Sequence, residues 1–187
     1  MTLKSDNASP NLLSAISASG IFGELSQKNT DILASCIEKT NLTKGATLFE
    51  QGALSDAMYV VLSGRLSVHR TGEGDTDERR GEIRPGEPTG EIQFLTGGLH
   101  TASIRAETDA ELVKIPRTVI KDLTVSGPET LNHLAAFIHR RLQRYRLYDI
   151  LPRLFGTLDE HIVADIEENI EWKRLLGGEL LFRQGDK

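Results

Sequence analysis

The stretch Gly90–Ala106, "GEIQFLTGGLHTASIRA", decides how this sequence is read. A turn at Pro85-Gly86 leads into Gly90-Glu91, a short apolar run follows, Gly97-Gly98 breaks it, and small polar residues open a strand-like segment. "GEIQFLT" is too short for a full amphipathic helix, but one to two turns ending at the glycine pair fit it. A short helix entered from glycine leaves backbone N–H groups without helical acceptors at its start, and such groups suit phosphate. Glu91, in the first turn, adds a carboxylate able to accept hydrogen bonds from a sugar hydroxyl.

Around this segment the pattern is that of strands. "ATLFEQG", "AMYVVLSG", "RLSVHR" and "GEIRPG" precede it, and "TASIRAE" and "AELVKIP" complete the series. Short β-branched and apolar runs closed by glycine turns indicate an all-β sandwich or roll. Gly52, Gly64 and Gly86 read as turn residues without a ligand role. The polar "TGEGDTDERRG" reads as a hairpin tip. Helices flank the strands. One is expected over Asp31–Ile37, with Leu25 and Leu33 at helical spacing. A second is "VIKDL", with Thr118 placed to cap it. A long third opens near Pro128, where Leu131, Leu134, Ile138, Leu142 and Tyr145 recur at three or four residues. The fold class is therefore mainly β, an antiparallel barrel with flanking helices.

The sequence also repeats itself. Ile21–Leu54 returns as Leu154–Lys187 without a gap, eleven of 34 positions being identical at a constant offset of 133. Phe22, Gly45, Phe49, Gln51 and Gly52 match Phe155, Gly178, Phe182, Gln184 and Gly185. Solenoid repeats run to roughly 50 residues at most, so this spacing marks tandem whole domains. The organisation expected is an N-terminal polar segment over 1–20, one domain over 21–150, and the start of a second, truncated copy over 151–187. The chain then reads as a fragment of something longer.

Composition narrows the functional classes. The 187 residues are 39% hydrophobic and 26% charged, as in a globular domain. The net charge of −5 argues against nonspecific nucleic-acid binding, which draws on clustered positive charge. The single cysteine, Cys36, permits no internal disulfide and no multi-cysteine metal site, and its helical position suits packing. The basic group His139, Arg140, Arg141, Arg144 and Arg146 reads as the solvated face of an amphipathic helix. His69, His133 and His161 lack partners at metal-ligand spacing. With no nucleophile elbow, phosphate-binding loop of the Walker type or dinucleotide fingerprint, nothing in the chain looks catalytic. The polar start and the lack of a long apolar run place the protein in the cytoplasm, with peripheral membrane association of a full-length protein left open.

With "GATLFEQG", "MYVVLSGRLSV", "RPGEPTGE" and the Gly90–Ala106 segment in view, Ile21–Leu147 resembles the cyclic-nucleotide-binding domain family. The resemblance implies a jelly-roll-like β-roll with C-terminal helices that carries cAMP or cGMP as a regulatory ligand in a phosphate-binding cassette, with no other cofactor required. It puts Gly90, Glu91 and Ile92 where the family uses backbone amides on phosphate and a glutamate on the ribose 2′-hydroxyl. Thr101, Ala102 and Ser103 fill the small-residue segment that approaches phosphate and base. One position departs: where the family has arginine on the cyclic phosphate, this chain has His100. Histidine is mostly neutral at pH 7, its ordinary pKa being near ~6.5, and it offers a single-point contact in place of a charged fork. That loss costs on the order of 1.5–3 kcal/mol, roughly ten- to hundredfold in affinity. The alternatives are therefore a nucleotide-binding regulatory module and a degenerate domain kept for protein contacts.

The wording "GEIQFLTGG" followed by a second copy opening "LPRLFGTLDE" looks most like the N-terminal region of patatin-like phospholipases related to neuropathy target esterase. There the chemistry would lie in a serine hydrolase domain outside this chain. A kinase, channel or transcription-regulator host is the further alternative, the last disfavoured because a second domain copy stands where a helix-turn-helix would follow.

Overall fold

The computed structural model describes residues 10–72, 76–156, 158–170 and 176–179. The chain packs as two compact units, Met1–His139 and Arg140–Lys187.

In the first unit the described residues form eight strands in two antiparallel four-stranded sheets. One sheet holds β1 (Glu38–Leu42), β8 (Ala110–Pro116), β3 (Ala57–Ser63) and β6 (Pro88–Thr89) in that order. The other holds β2 (Thr47–Phe49), β7 (Ser103–Ala106), β4 (Leu66–Thr71) and β5 (Asp77–Ile83). The pairings are antiparallel, and apart from the β4–β5 hairpin the neighbours in each sheet come from distant parts of the chain, as the expected β-roll requires. The inward residues of both sheets meet in one core of Ala57, Tyr59, Val61, Leu66, Ile83, Ile104, Ala106, Ala110 and Leu112, with Leu48, Phe49 and Val68 packed against it. Strand alternation follows: in β7, Ile104 and Ala106 face that core, so Ser103 and Arg105 face the opposite side.

The glycine-closed runs all contribute strands. Gly64, between β3 and β4, has φ +85°, and a Cβ there would lie 2.3 Å from the carbonyl oxygen of Asp109, so both the turn and the close backbone approach demand glycine. Besides the two-residue β6, two strands depart from expectation. β1 is made of "EKTNL", whose residues are exposed or half-buried; it is an edge strand paired only with β8 and carries no apolar alternation. β5 takes in Asp77–Gly81, expected as part of a hairpin tip. It too is an edge strand, and only Ile83 is buried. Residues 73–75 of that tip lie outside the described residues.

Five helices accompany the strands in this order. Within the amino-terminal segment, α1 (Pro10–Ala18) buries Leu12 and Ile16. α2 (Gln27–Cys36) is capped by the Ser26 side chain, which accepts from the Asn29 N–H at 3.2 Å. Cys36 ends that helix half-buried, and burial raises its thiol pKa to about 11, so it is inert as a nucleophile at neutral pH. α3 (Glu91–Thr96) is the short helix expected after Gly90, and it stops at Gly97. α4 (Val119–Ser126) starts after Thr118, whose side chain makes no capping hydrogen bond. α5 (Pro128–Phe155) contributes its first part to this unit and the rest to the second.

The second unit, with α6 (Glu160–Asn169) capped by Asp159, has a small core of Leu147, Leu151 and Val163. Leu154 and Phe155 are 68% and 66% exposed, whereas their counterparts in the first copy, Ile21 and Phe22, are 0% and 1% exposed. Phe182, Gln184 and Gly185, which complete the repeat, lie outside the described residues. Among the described residues no helix is long and apolar enough to cross a membrane.

Candidate functional site

The site is built from the turn at Gly90 upward. Gly90 adopts the left-handed conformation, φ 75° and ψ 3°, which turns the chain from β6 directly into α3. Its carbonyl accepts from the Phe94 N–H at 3.0 Å, and the Gly97 N–H closes the helix on Gln93 O at 2.8 Å. The first-turn amides of α3 have no acceptor within the helix. Glu91 and Gln93 are buried, Ile92 is half-buried, and Phe94 is fully enclosed. Arg117, at the end of β8, donates from Nε to Phe94 O at 2.9 Å, a cation against the carbonyl end of the short helix.

The chain returns to Gly90 ten residues later. His100 is 5% exposed, and its ring stacks on Phe49 with centroids 3.7 Å apart and planes 10° from parallel. A Cβ built on Gly90 would lie 3.5 Å from Cε1 of Phe49 and 3.6 Å from Cε1 of His100, so both rings lie against this glycine. The two halves of the segment thus converge, and protein side chains fill the space at their meeting. Burial holds the His100 imidazole below its usual pKa, with the Asp56 carboxylate working weakly the other way. The imidazole is accordingly neutral at pH 7.

The remaining expected residues differ in exposure. Thr101 is exposed and Ala102 half-buried. Ser103 is buried, and its hydroxyl is engaged on the side of β7 away from the core: it donates to Glu50 Oε2 at 2.7 Å and accepts from the Gln51 N–H at 2.8 Å. Sequence reasoning did not single out Phe49 or Arg117 for the site. Phe49 lies 51 positions from His100 and reads as one core residue among many, while Arg117 reads only as the polar end of a strand.

Several of the histidine-bearing and basic positions have ordinary partners. His69 Nε2 lies 2.9 Å from Ser67 Oγ, and Nδ1 lies 3.3 Å from Asp77. Asp77 also pairs with Arg105, whose guanidinium holds its carboxyl below the usual range. The His133 ring packs against Gly23. No cluster of three or more His, Cys, Asp or Glu suited to a metal ion occurs among the described residues.

The fold and this segment define a cyclic-nucleotide-type β-roll, and comparison with known proteins agrees. Residues 39–126 match the cyclic nucleotide-binding domain family, and the chain carries a domain of that family. It is 34% identical over 109 residues to the lysophospholipase NTE1 of Pyricularia oryzae, covering 58% of this chain and 7% of that protein. It is 32% identical over 125 residues to the cyclic AMP receptor protein of Thermus thermophilus, covering 67% of this chain and 58% of that one. Among solved structures, the catabolite activator protein of Thermus thermophilus superposes with a TM-score of 0.61 at 27% identity, covering 79% of each chain. A cyclic nucleotide-binding domain from Methylobacillus flagellatus gives a TM-score of 0.64 at 21% identity, over 80% of this chain and 84% of that one, a likeness of fold. The chain thus spans only a small part of its lysophospholipase relatives.

Proposed function

We propose that this domain is a regulatory module that takes a cyclic nucleotide, cAMP or cGMP, in the segment Gly90–Ser103 and biases a linked effector domain. The observation that carries this reading is the convergence of Gly90 and His100: the left-handed turn that launches α3 and buries Glu91 lies against the position where the family sets its phosphate-binding arginine. Gly90, Glu91 and Ile92 then supply amides and a carboxylate to the sugar phosphate, His100 a single polar contact, and Thr101, Ala102 and Ser103 the wall beside it. The effector is a lysophospholipase or esterase domain, a reading supported by the identity to lysophospholipases, and the protein works in the cytoplasm. Residues 151–187 open a second copy of the domain, in which Leu154 and Phe155 would be buried as Ile21 and Phe22 are. A ligand acts on the effector only by the difference in its affinity for two arrangements of the helices after Pro128.

Calorimetry with cAMP and with cGMP tests the reading. Binding is expected, and His100→Arg is expected to tighten it about tenfold by restoring a charge-assisted contact. No heat from either protein with either nucleotide at millimolar concentration rejects it. A second reading, a domain that binds no nucleotide and serves protein contacts, is favoured by the two rings packed against Gly90.

A further inference from the structure

His100 is clamped at its backbone and free to move only about its side-chain torsions. Its N–H donates to Ala53 O at 2.8 Å and its carbonyl accepts from the Gly52 N–H at 2.8 Å. One step further out, the Ser55 N–H donates to Gly98 O at 3.1 Å, and Leu54 bridges Leu99. This short ladder keeps the residue from backing away from Gly90. Phe49 is held from the other side: it ends β2, packs on the barrel core, and its ring centroid stands 6.2 Å from that of Tyr59 at a 33° tilt. Between these two anchored backbones the imidazole lies flat on the phenyl face.

Hydrogen bonding does not explain that place. His100 Nδ1 is buried and has no hydrogen-bond partner among the described residues. Burying such a nitrogen unpaired is costly, and the contact the structure sets against that cost is the parallel stack on Phe49.

We propose that Phe49 sets ligand access to the cassette: its ring holds the His100 imidazole over Gly90, and a cyclic phosphate is seated only after the imidazole leaves the stack. The inference rests on the nucleotide reading above and adds the residue that controls it. Measured affinity is then the intrinsic affinity multiplied by the fraction of molecules whose imidazole is out of the stack. Loosening the stack raises it, and the strength of one aromatic stack corresponds to roughly a three- to tenfold gain.

The test combines NMR of the histidine side chains with cAMP titration of the wild-type chain, Phe49→Leu, His100→Ala and the double variant. Leucine keeps most of the core volume and removes the ring. In the wild type the His100 Hε1 resonance is expected upfield of those of the other four histidines, and in Phe49→Leu it returns toward them. Phe49→Leu should bind cAMP about three- to tenfold more tightly than wild type, and the double variant no more tightly than His100→Ala alone, because without the imidazole the phenyl ring has nothing to hold. An unshifted wild-type Hε1, which needs no variant to fold, overturns the stack. A shifted Hε1 with equal affinity in wild type and Phe49→Leu overturns control by Phe49 and leaves the nucleotide reading intact. A shifted Hε1 with no cAMP binding in any of the four proteins overturns that reading, and ligand access with it.

Discussion

Asn29 Nδ2 donates to Thr130 Oγ1 at 2.6 Å, a buried side-chain bond that joins α2 to the first turn of α5 across 101 positions of sequence. Both residues are about 5% exposed or less. The bond fixes the start of the long helix to the helix that precedes the barrel.

Removing one partner should hurt more than removing both. Thr130→Val keeps the shape but leaves the Asn29 amide without its acceptor, in a side chain whose Oδ1 already lacks a partner among the described residues. Chemical denaturation should give a loss of about 1–3 kcal/mol. The double variant Asn29→Leu with Thr130→Val should be less destabilised than Thr130→Val alone, because no buried polar group is then stranded.

Two glycines of nearly equal φ should respond differently to alanine. Gly64 and Gly52 have φ +85° and +84°, but a Cβ meets Asp109 O at 2.3 Å at the first and nothing within 4 Å at the second. Gly52→Ala should cost about 1 kcal/mol from conformational strain. Gly64→Ala adds displacement of the backbone at Asp109 and should cost about 3 kcal/mol or more by thermal or urea unfolding.

The buried His100 ring gives stability a defined pH dependence. Its folded pKa is depressed, so below the unfolded value near ~6.5 the unfolded chain takes up a proton that the folded chain refuses. Stability from this site is complete above that value and declines as pH falls from it toward the folded pKa. Urea unfolding at a series of pH values should show this decline in the wild type and a shallower one in His100→Leu; equal slopes would contradict it. Protonation both favours the imidazole leaving its apolar stack and attracts it to phosphate, so cAMP affinity measured by calorimetry should be greater at pH 5.5 than at pH 8.

Arg117 should govern the rigidity of α3. Arg117→Met removes the donor to Phe94 O while retaining a long apolar stem. Hydrogen exchange at the Phe94 and Gly97 amides, which close this helix, should quicken by about tenfold, the equivalent of one hydrogen bond near 1.4 kcal/mol.

The barrel was legible in the sequence wherever burial writes a pattern. β3, with "AMYVVLS" almost wholly enclosed, and β8, with "AELVKIP" alternating, announce themselves. The limits of α3 were legible because glycine stands at both ends. β1 and β5 were not, because an edge strand exposing most of its residues obeys main-chain pairing and has little apolar periodicity to display. At the site, the departure at position 100 was legible only through the resemblance to the family, whose motif puts arginine there. The ring beneath it could not: the contact between Phe49 and His100 arises when β2 and the end of the α3 segment meet, and no local signal links them.

The two copies of the repeat show that dryness is not written into a motif. Phe22 and Phe155 each precede a glycine at matching positions, yet one is sealed from water and the other stands in it. Leu154 and Phe155 together give the second unit an exposed apolar pair, the kind of surface that water favours covering.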